Sequence, residues 1–67
     1  MNSINFKLKE LRNEKSLTQA QLANILNVSQ KSISNWEIGY REPDYDTLKK
    51  AANYFSVTID YLLGLTD

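Results

Sequence analysis

Apolar residues recur at helical spacing along almost the whole chain, and this pattern favours an all-helical fold. Ile4, Leu8, Leu11 and Lys15 follow one another at intervals of four, three and four residues, which predicts one face of a first helix. The 67 residues include two glycines and one proline, too few for a chain of tightly turned hairpins. A chain of this length forms one small core. The sequence therefore predicts a single all-α domain over residues 1–67.

Residues that favour helix starts and stops divide the chain into five short helices. The candidate N-caps are Asn2 or Ser3, Thr18, Ser29, Asp44 and Thr58. Thr18 and Gln21 also have the spacing of a capping box. Asn27 and Gly39 tolerate the left-handed backbone with which many helices end, so they are predicted to end the second and third helices.

The second and third predicted helices, joined through Asn27, are typical of a helix-turn-helix motif over about residues 18–38. Ala23 is small where two such helices must cross closely. Ile33 and Trp36, three residues apart, are predicted to face the core beneath the third helix. The other side of that helix is polar and carries Gln30, Lys31, Ser34 and Asn35.

Together these features resemble the Xre/Cro family of small bacterial and phage transcriptional repressors. The matching residues are Leu11-Arg12, Leu17 to Ala23, Val28-Ser29, Ile33-Ser34, Trp36-Glu37, Gly39, Pro43 and Val57 to Leu63. The resemblance covers nearly the whole chain and implies a compact five-helix, lambda-repressor-like DNA-binding domain. One departure is Asn27, where many relatives carry glycine; asparagine is the next most tolerant residue for a left-handed turn.

The resemblance implies double-stranded operator DNA as the partner, with helix 29–38 in the major groove and its N-terminal residues at the base edges. The implied base-reading residues are Gln30, Lys31, Ser34 and Asn35, whose amides and ammonium suit adenine and guanine. The implied phosphate ligands are Thr18, Gln19, Ser32, Tyr40 and Arg41. The alternative interpretation of the base-reading residues is that they form an ordinary solvent-exposed helix face without contact to DNA. For Tyr40, packing on a neighbouring helix fits equally well.

The resemblance also implies an ion pair between Arg12 and Glu37 that ties the reading helix to the scaffold. At the C-terminal end, Tyr61, Leu63 and Leu65 place apolar side chains on more than one side of a short helix. Such a helix is hard to bury fully in a small domain, which predicts a weak homodimer through it. Burial of Leu63 and Leu65 in the core, or a frayed terminus, is the alternative.

The charge of the chain argues at first against a nucleic-acid partner, because eight Lys and Arg balance eight Asp and Glu. The two signs are unevenly distributed. Residues 1–41 carry six cations and three acids, whereas residues 42–67 carry two cations and five acids. The positive excess lies in the half that contains the motif. With so few cations, modest affinity per monomer and a shallow salt dependence are expected.

Several function classes find no support in the composition. Without Cys or His the chain lacks disulfides, the commonest zinc ligands and the usual general base, so no metal, cofactor, small-molecule ligand or enzyme activity is predicted. No apolar run approaches the ~18 residues of a membrane span, and the N-terminus does not resemble a secretory signal. A cytoplasmic protein is the resulting prediction.

The sequence thus predicts a sequence-specific transcriptional regulator, and in the first place a repressor that blocks polymerase at a promoter. Activation through a surface contact stays open. An antitoxin or phage-type regulator that acts mainly through a protein partner is the alternative function, and a helical bundle without DNA binding is a third. The chain is equally compatible with a complete protein and with the N-terminal domain of a longer one.

Overall fold

The computed structural model describes residues 6–65. Over that range it contains five α-helices and no strand: α1 (Leu8–Glu14), α2 (Gln19–Leu26), α3 (Gln30–Glu37), α4 (Tyr45–Phe55) and α5 (Ile59–Leu62). The all-α, five-helix prediction is confirmed. None of these helices is long and apolar enough to cross a membrane.

The helices enclose one apolar core. The large side chains that are completely buried come from four of the helices: Leu8, Leu22, Leu26, Ile33 and Leu62. Ala51, Ala52 and Phe55 contribute the apolar face of α4 to the same cluster. Trp36 is only 8% exposed, which confirms its predicted place in the core. Because Ile33 and Trp36 both lie in this core, packing fixes the orientation of α3.

Four of the helices begin at the predicted caps. The oxygens of Thr18, Ser29, Asp44 and Thr58 accept hydrogen bonds from the backbone N–H groups three residues further on, at 2.9–3.1 Å. Gln21 completes the capping box, since its side-chain oxygen accepts from the Thr18 N–H at 2.8 Å. Each such cap stabilises a helix by about 1 kcal/mol. Local chemistry therefore sets the starts of α2 to α5.

The first helix differs from its prediction. Phe6 and Lys7 are not helical, and the Lys7 N–H donates to the carbonyl of Leu62 at 2.9 Å, so the start of α1 is tied to the end of α5. The predicted caps Asn2 and Ser3 lie outside the described residues. The placement of Lys15 on the apolar stripe is wrong. Lys15 follows the last turn of α1 and is exposed, with its ammonium 5.7 Å from the centre of the Tyr54 ring.

The turn between α2 and α3 has the predicted left-handed residue. Asn27 has φ 60° and ψ 47°, and the following Val28 N–H donates to the Ala23 carbonyl at 2.9 Å. A contact from outside the motif adds to this turn, because the ammonium of Lys50 on α4 donates to the Leu26 carbonyl at 3.1 Å. The angle between α2 and α3 is therefore held by local backbone geometry and by a side chain 24 residues away.

Candidate nucleic-acid interface

The recognition candidates lie on the side of α3 that faces solvent. Gln30 and Lys31, in its first turn, are exposed, whereas Ser34 and Asn35 are half-buried. The Ser29 cap fixes where this helix begins, since its hydroxyl accepts the Ser32 N–H at 3.1 Å. The N-terminal end of α3 therefore presents an amide and an ammonium to solvent. Both groups can donate to the acceptors that bases display in a major groove.

The C-terminal end of α3 is anchored by a buried ion pair. Arg12 donates from Nε to Oε2 of Glu37 at 2.6 Å and from Nη2 to Oε1 at 3.0 Å. Its Nη1 donates to the Leu17 carbonyl at 2.8 Å, so the guanidinium spans α1, α3 and the segment before α2. The side chains of Arg12 and Glu37 are 11% and 2% exposed. The two residues named as an ion pair are thus in direct contact through two parallel hydrogen bonds, the strong geometry for this pair.

The protonation of Glu37 follows from these contacts. Burial raises the pKa of its carboxyl, but the hydrogen bonds from Arg12 and Gln19, with the positive charge of Arg12, outweigh burial. The net result is a Glu37 pKa below its ordinary value. The hydrogen bond to Glu37 raises the pKa of Arg12, against the opposing effect of burial. Both groups are therefore charged at neutral pH.

Gln19 has a role that the sequence reasoning missed. Its side-chain Nε2 donates to Oε1 of Glu37 at 3.0 Å, which joins the first residue of α2 to the last residue of α3. The partners are 18 positions apart, so no local spacing signals the contact. It places the start of α2, with Thr18 and Gln19, at the same end of α3 as the loop that follows Glu37.

That loop carries the remaining phosphate candidates. Gly39, with φ 80°, turns the chain, and the N–H groups of Tyr40 and Arg41 both donate to the Asn35 carbonyl, at 2.9 and 3.4 Å. Tyr40 and Arg41 are exposed, and the guanidinium carbon of Arg41 lies 5.5 Å from the centre of the Tyr40 ring. The Arg41 guanidinium therefore lies beside the Tyr40 ring, in the loop that follows the C-terminal end of α3.

The candidates therefore form two groups along α3. Gln30 and Lys31 lie at its N-terminal end. The phosphate candidates Thr18, Gln19, Tyr40 and Arg41 lie near its C-terminal end. Ser32 is half-buried, with its hydroxyl 3.0 Å from that of Ser29, so it is already engaged at the helix start.

Comparison with known proteins supports the helix-turn-helix formed by α2, the Asn27 turn and α3. A sequence profile of the family described as "Helix-turn-helix" matches residues 8–62. The chain belongs to the Xre/Cro-like helix-turn-helix family. The match includes all five helices, and the resemblance inferred from the motifs is confirmed.

Xre/Cro-like relatives named as transcriptional regulators include proteins from three bacterial species. The HTH-type transcriptional regulator ImmR of Bacillus subtilis is 45% identical over 62 residues, which cover 92% of this chain and 49% of ImmR. The HTH-type transcriptional activator BcrR of Enterococcus faecalis is 52% identical over 60 residues, covering 90% of this chain and 29% of BcrR. The cryptic phage CTXphi transcriptional repressor RstR of Vibrio cholerae is 32% identical, covering 87% and 52%.

A solved structure shares the Xre/Cro-like fold. The crystal structure of a transcriptional regulator from Listeria innocua superposes with a TM-score of 0.84 at 33% identity, and covers 91% of this chain and 57% of the other. The chain spans about half or less of the length of the three named relatives. The part of the chain that is compared is therefore a helix-turn-helix domain of the Xre/Cro-like family.

A small cavity adjoins this interface. A cavity of about 100 Å³ is lined by Phe6, Trp36, Arg41, Glu42, Pro43, Leu48 and Leu63. It lies beneath the C-terminal end of α3 and reaches the end of α5. Within residues 6–65, no three Asp or Glu side chains are grouped in a way that would hold a metal ion.

Proposed function

We propose that this domain binds operator DNA with α3 in the major groove and represses transcription by occupying a promoter. The observation that carries the proposal is the way α3 is held. Its apolar side is locked by Ile33 and Trp36, and Glu37 is bonded to α1 and α2. Only its polar side is free to meet a ligand. A helix fixed in this way can dock on DNA without rearranging.

Base reading is assigned first to Gln30 and Lys31. The Gln30 amide can bind the N6 and N7 atoms of adenine, and the Lys31 ammonium can reach O6 or N7 of guanine. Asn35 and Ser34, one turn further along and half-buried, are assigned as the second pair of base-reading residues. A good bidentate contact gives about 1–3 kcal/mol of discrimination between bases.

Phosphate binding is assigned to the group near the C-terminal end of α3, with Thr18, Gln19 and Tyr40 as neutral ligands, and to Ser32 in the first turn of the helix. Arg41 is the strongest ligand in this set because it brings a full charge on an exposed side chain. The Gln19 side chain keeps a second N–H beyond the one that Glu37 accepts. Because the set contains one cation, the expected salt dependence is shallow.

Repression follows from occupancy alone. A domain bound across a promoter excludes polymerase sterically, whereas activation needs an additional productive contact with it. RstR is named a repressor and BcrR an activator, so domains of this type serve both purposes. Repression is the proposal because it requires no surface beyond the interface already described.

A weak homodimer through the C-terminal helix is part of the proposal. Leu65 is 65% exposed, whereas Tyr61 and Leu63 are half-buried, so Leu65 is the side chain most available to a second copy. A dimer doubles the phosphate contacts and reads two half-sites about one DNA turn apart. This offsets the small number of cations in each copy.

Selection of bound sites from random duplex DNA tests the proposal. We expect an inverted repeat whose half-sites are centred about 10 base pairs apart. The variant Lys31→Ala should change the enriched sequence, and the matched control Lys49→Ala on α4 should not. Failure to enrich any sequence would overturn sequence-specific binding. Placing the enriched site across a promoter then tests repression, since higher transcription would identify an activator instead.

A further inference from the structure

A polar contact from outside the helix-turn-helix lies at the turn that leads into α3. The ammonium of Lys50 on α4 donates to the carbonyl of Leu26, the last residue of α2, at 3.1 Å. At the opposite end of α3, Glu37 is bonded to α1 and α2. The contact of Lys50 therefore lies at the end that carries the base-reading candidates Gln30 and Lys31.

The Leu26 carbonyl needs a donor from outside its own helix. It is among the last four carbonyls of α2, to which the helix itself supplies no N–H. The N–H of Asn27 bonds instead to carbonyls one turn earlier in α2. The last turn of α2 has no basic side chain of its own. Lys50 therefore supplies both the hydrogen bond and the positive charge that favour the C-terminal end of a helix.

The bonded carbonyl is close in the chain to the base-reading residues. The Leu26 side chain is completely buried, so this end of α2 is fixed in the core. Ser29, three residues further on, caps α3, and Gln30 and Lys31 begin its first turn. Because the connection is this short, a shift of the Leu26 carbonyl relative to α4 moves the start of α3 with it.

We propose that Lys50 is a positioning residue for base recognition: by holding the Leu26 carbonyl, it sets the position of the first turn of α3 in the major groove. This inference rests on the proposed function, since it requires α3 to read bases. The ammonium is engaged by the carbonyl and acts on DNA through α3. Its loss should weaken binding to the operator and leave binding to unrelated duplexes, which depends on phosphate contacts, unchanged.

The test compares Lys50→Met, which keeps most of the side-chain length but loses the ammonium, with Lys50→Arg, which keeps a cationic donor. Lys49→Met is the matched control, because it removes the same charge from an exposed neighbour on α4. Affinities for the enriched operator and for a scrambled duplex are measured over a range of salt concentrations, at a temperature where every chain is folded.

The quantity compared is the operator preference, which is the ratio of the affinities for the operator and the scrambled duplex. We expect Lys50→Met to lower this ratio about three- to tenfold, the range that corresponds to one hydrogen bond. Lys50→Arg and Lys49→Met should keep the wild-type ratio. An unchanged ratio in Lys50→Met would overturn the positioning role. So would an equal loss on both duplexes with a salt slope reduced by about 1, which identifies a phosphate ligand.

Amide hydrogen exchange of the free chain separates this inference from the proposed function. The N–H groups of Ser32 and Ile33 are bonded to Ser29 at the start of α3, whereas the N–H of Tyr40 is bonded near its end. In Lys50→Met we expect faster exchange at Ser32 and Ile33 and an unchanged rate at Tyr40. If no operator is enriched, the proposed function fails, and this measurement still tests the contact. Wild-type exchange rates at Ser32 and Ile33 would show that Lys50 does not hold the start of α3.

Discussion

Arg12 on α1 and Glu37 on α3 are joined by two hydrogen bonds, 2.6 and 3.0 Å long, in a pair whose side chains are almost inaccessible to water. Each charge has left water and is compensated mainly by the other. Such a pair adds little net stability compared with apolar residues of similar size, but the loss of one partner leaves an uncompensated buried charge. Its value lies in fixing where α3 ends relative to α1 and α2.

Removing one residue of the pair should therefore lower the free energy of unfolding far more than replacing both residues with apolar ones. We expect Glu37→Ala to lower the free energy of unfolding by about 3–5 kcal/mol, a large part of the total stability of a domain this small. The double variant Arg12→Met with Glu37→Met should stay much closer to the wild type. Denaturant titrations of the three chains measure the difference. Equal stabilities for the single and double variants would contradict the uncompensated-charge argument.

The same double variant separates stability from orientation. Without the guanidinium and the carboxylate, the end of α3 is no longer hydrogen-bonded to α1 and α2, so DNA affinity should fall although the chain stays folded. The measurement is operator affinity at a temperature where both chains are more than nine-tenths native. Wild-type affinity in the folded double variant would show that the ion pair does not position the reading helix.

The depressed pKa of Glu37 also predicts an acid-sensitive fold. Burial raises this pKa, and the hydrogen bonds from Arg12 and Gln19 lower it further than burial raises it, so the native pKa lies below the unfolded one. Between the two values the unfolded chain binds more protons, so stability falls as the pH falls. The contribution is complete above the unfolded value of about 4.3 and is lost through the native pKa.

Thermal melts between pH 7 and 3 measure this dependence. The Glu37→Gln variant cannot ionise at this position, so its melting temperature should fall less steeply with decreasing pH than that of the wild type. Asp44 contributes with the same sign, because its hydrogen bonds with Thr47 lower its pKa. The same melts of Asp44→Asn therefore show how much of the pH dependence comes from Asp44 and how much from Glu37. If the melting temperature of Glu37→Gln falls with pH as steeply as that of the wild type, the Glu37 carboxyl has the same pKa in the native and unfolded states.

The sequence predicted the features that depend on neighbouring residues. The caps Thr18, Ser29, Asp44 and Thr58 and the left-handed Asn27 all follow from local hydrogen bonding, which acts over three or four positions. Local signals could not supply the bond from Gln19 to Glu37, because its partners meet only after α2 and α3 have packed. The prediction for the start of α1 was wrong for the same reason. The helix begins at Leu8, because the N–H of the preceding Lys7 is hydrogen-bonded to the end of α5.

The Asn27 turn offers a test of backbone strain at the centre of the motif. At φ 60° a Cβ atom is unfavourable, and asparagine tolerates this geometry better than other non-glycine residues. Asn27→Ala should lower stability by about 1 kcal/mol, whereas Asn27→Gly should be neutral or slightly stabilising. Asn24→Ala, an exposed position on α2, is the control. Equal melting temperatures for the alanine and glycine variants at position 27 would contradict this assignment of strain.

Lys31 and Arg41 should differ in the kind of binding they support. Lys31 is exposed in the first turn of α3, so Lys31→Ala should relax the preference at one position per half-site, at about 1–3 kcal/mol. Arg41 lies in the loop after α3, beside Tyr40, so Arg41→Ala should weaken all sequences alike and reduce the salt slope by about 1. Affinities for the operator and for a scrambled duplex, each measured over a range of salt concentrations, distinguish the two. A sequence-dependent loss for Arg41→Ala would assign it to a base instead of a phosphate.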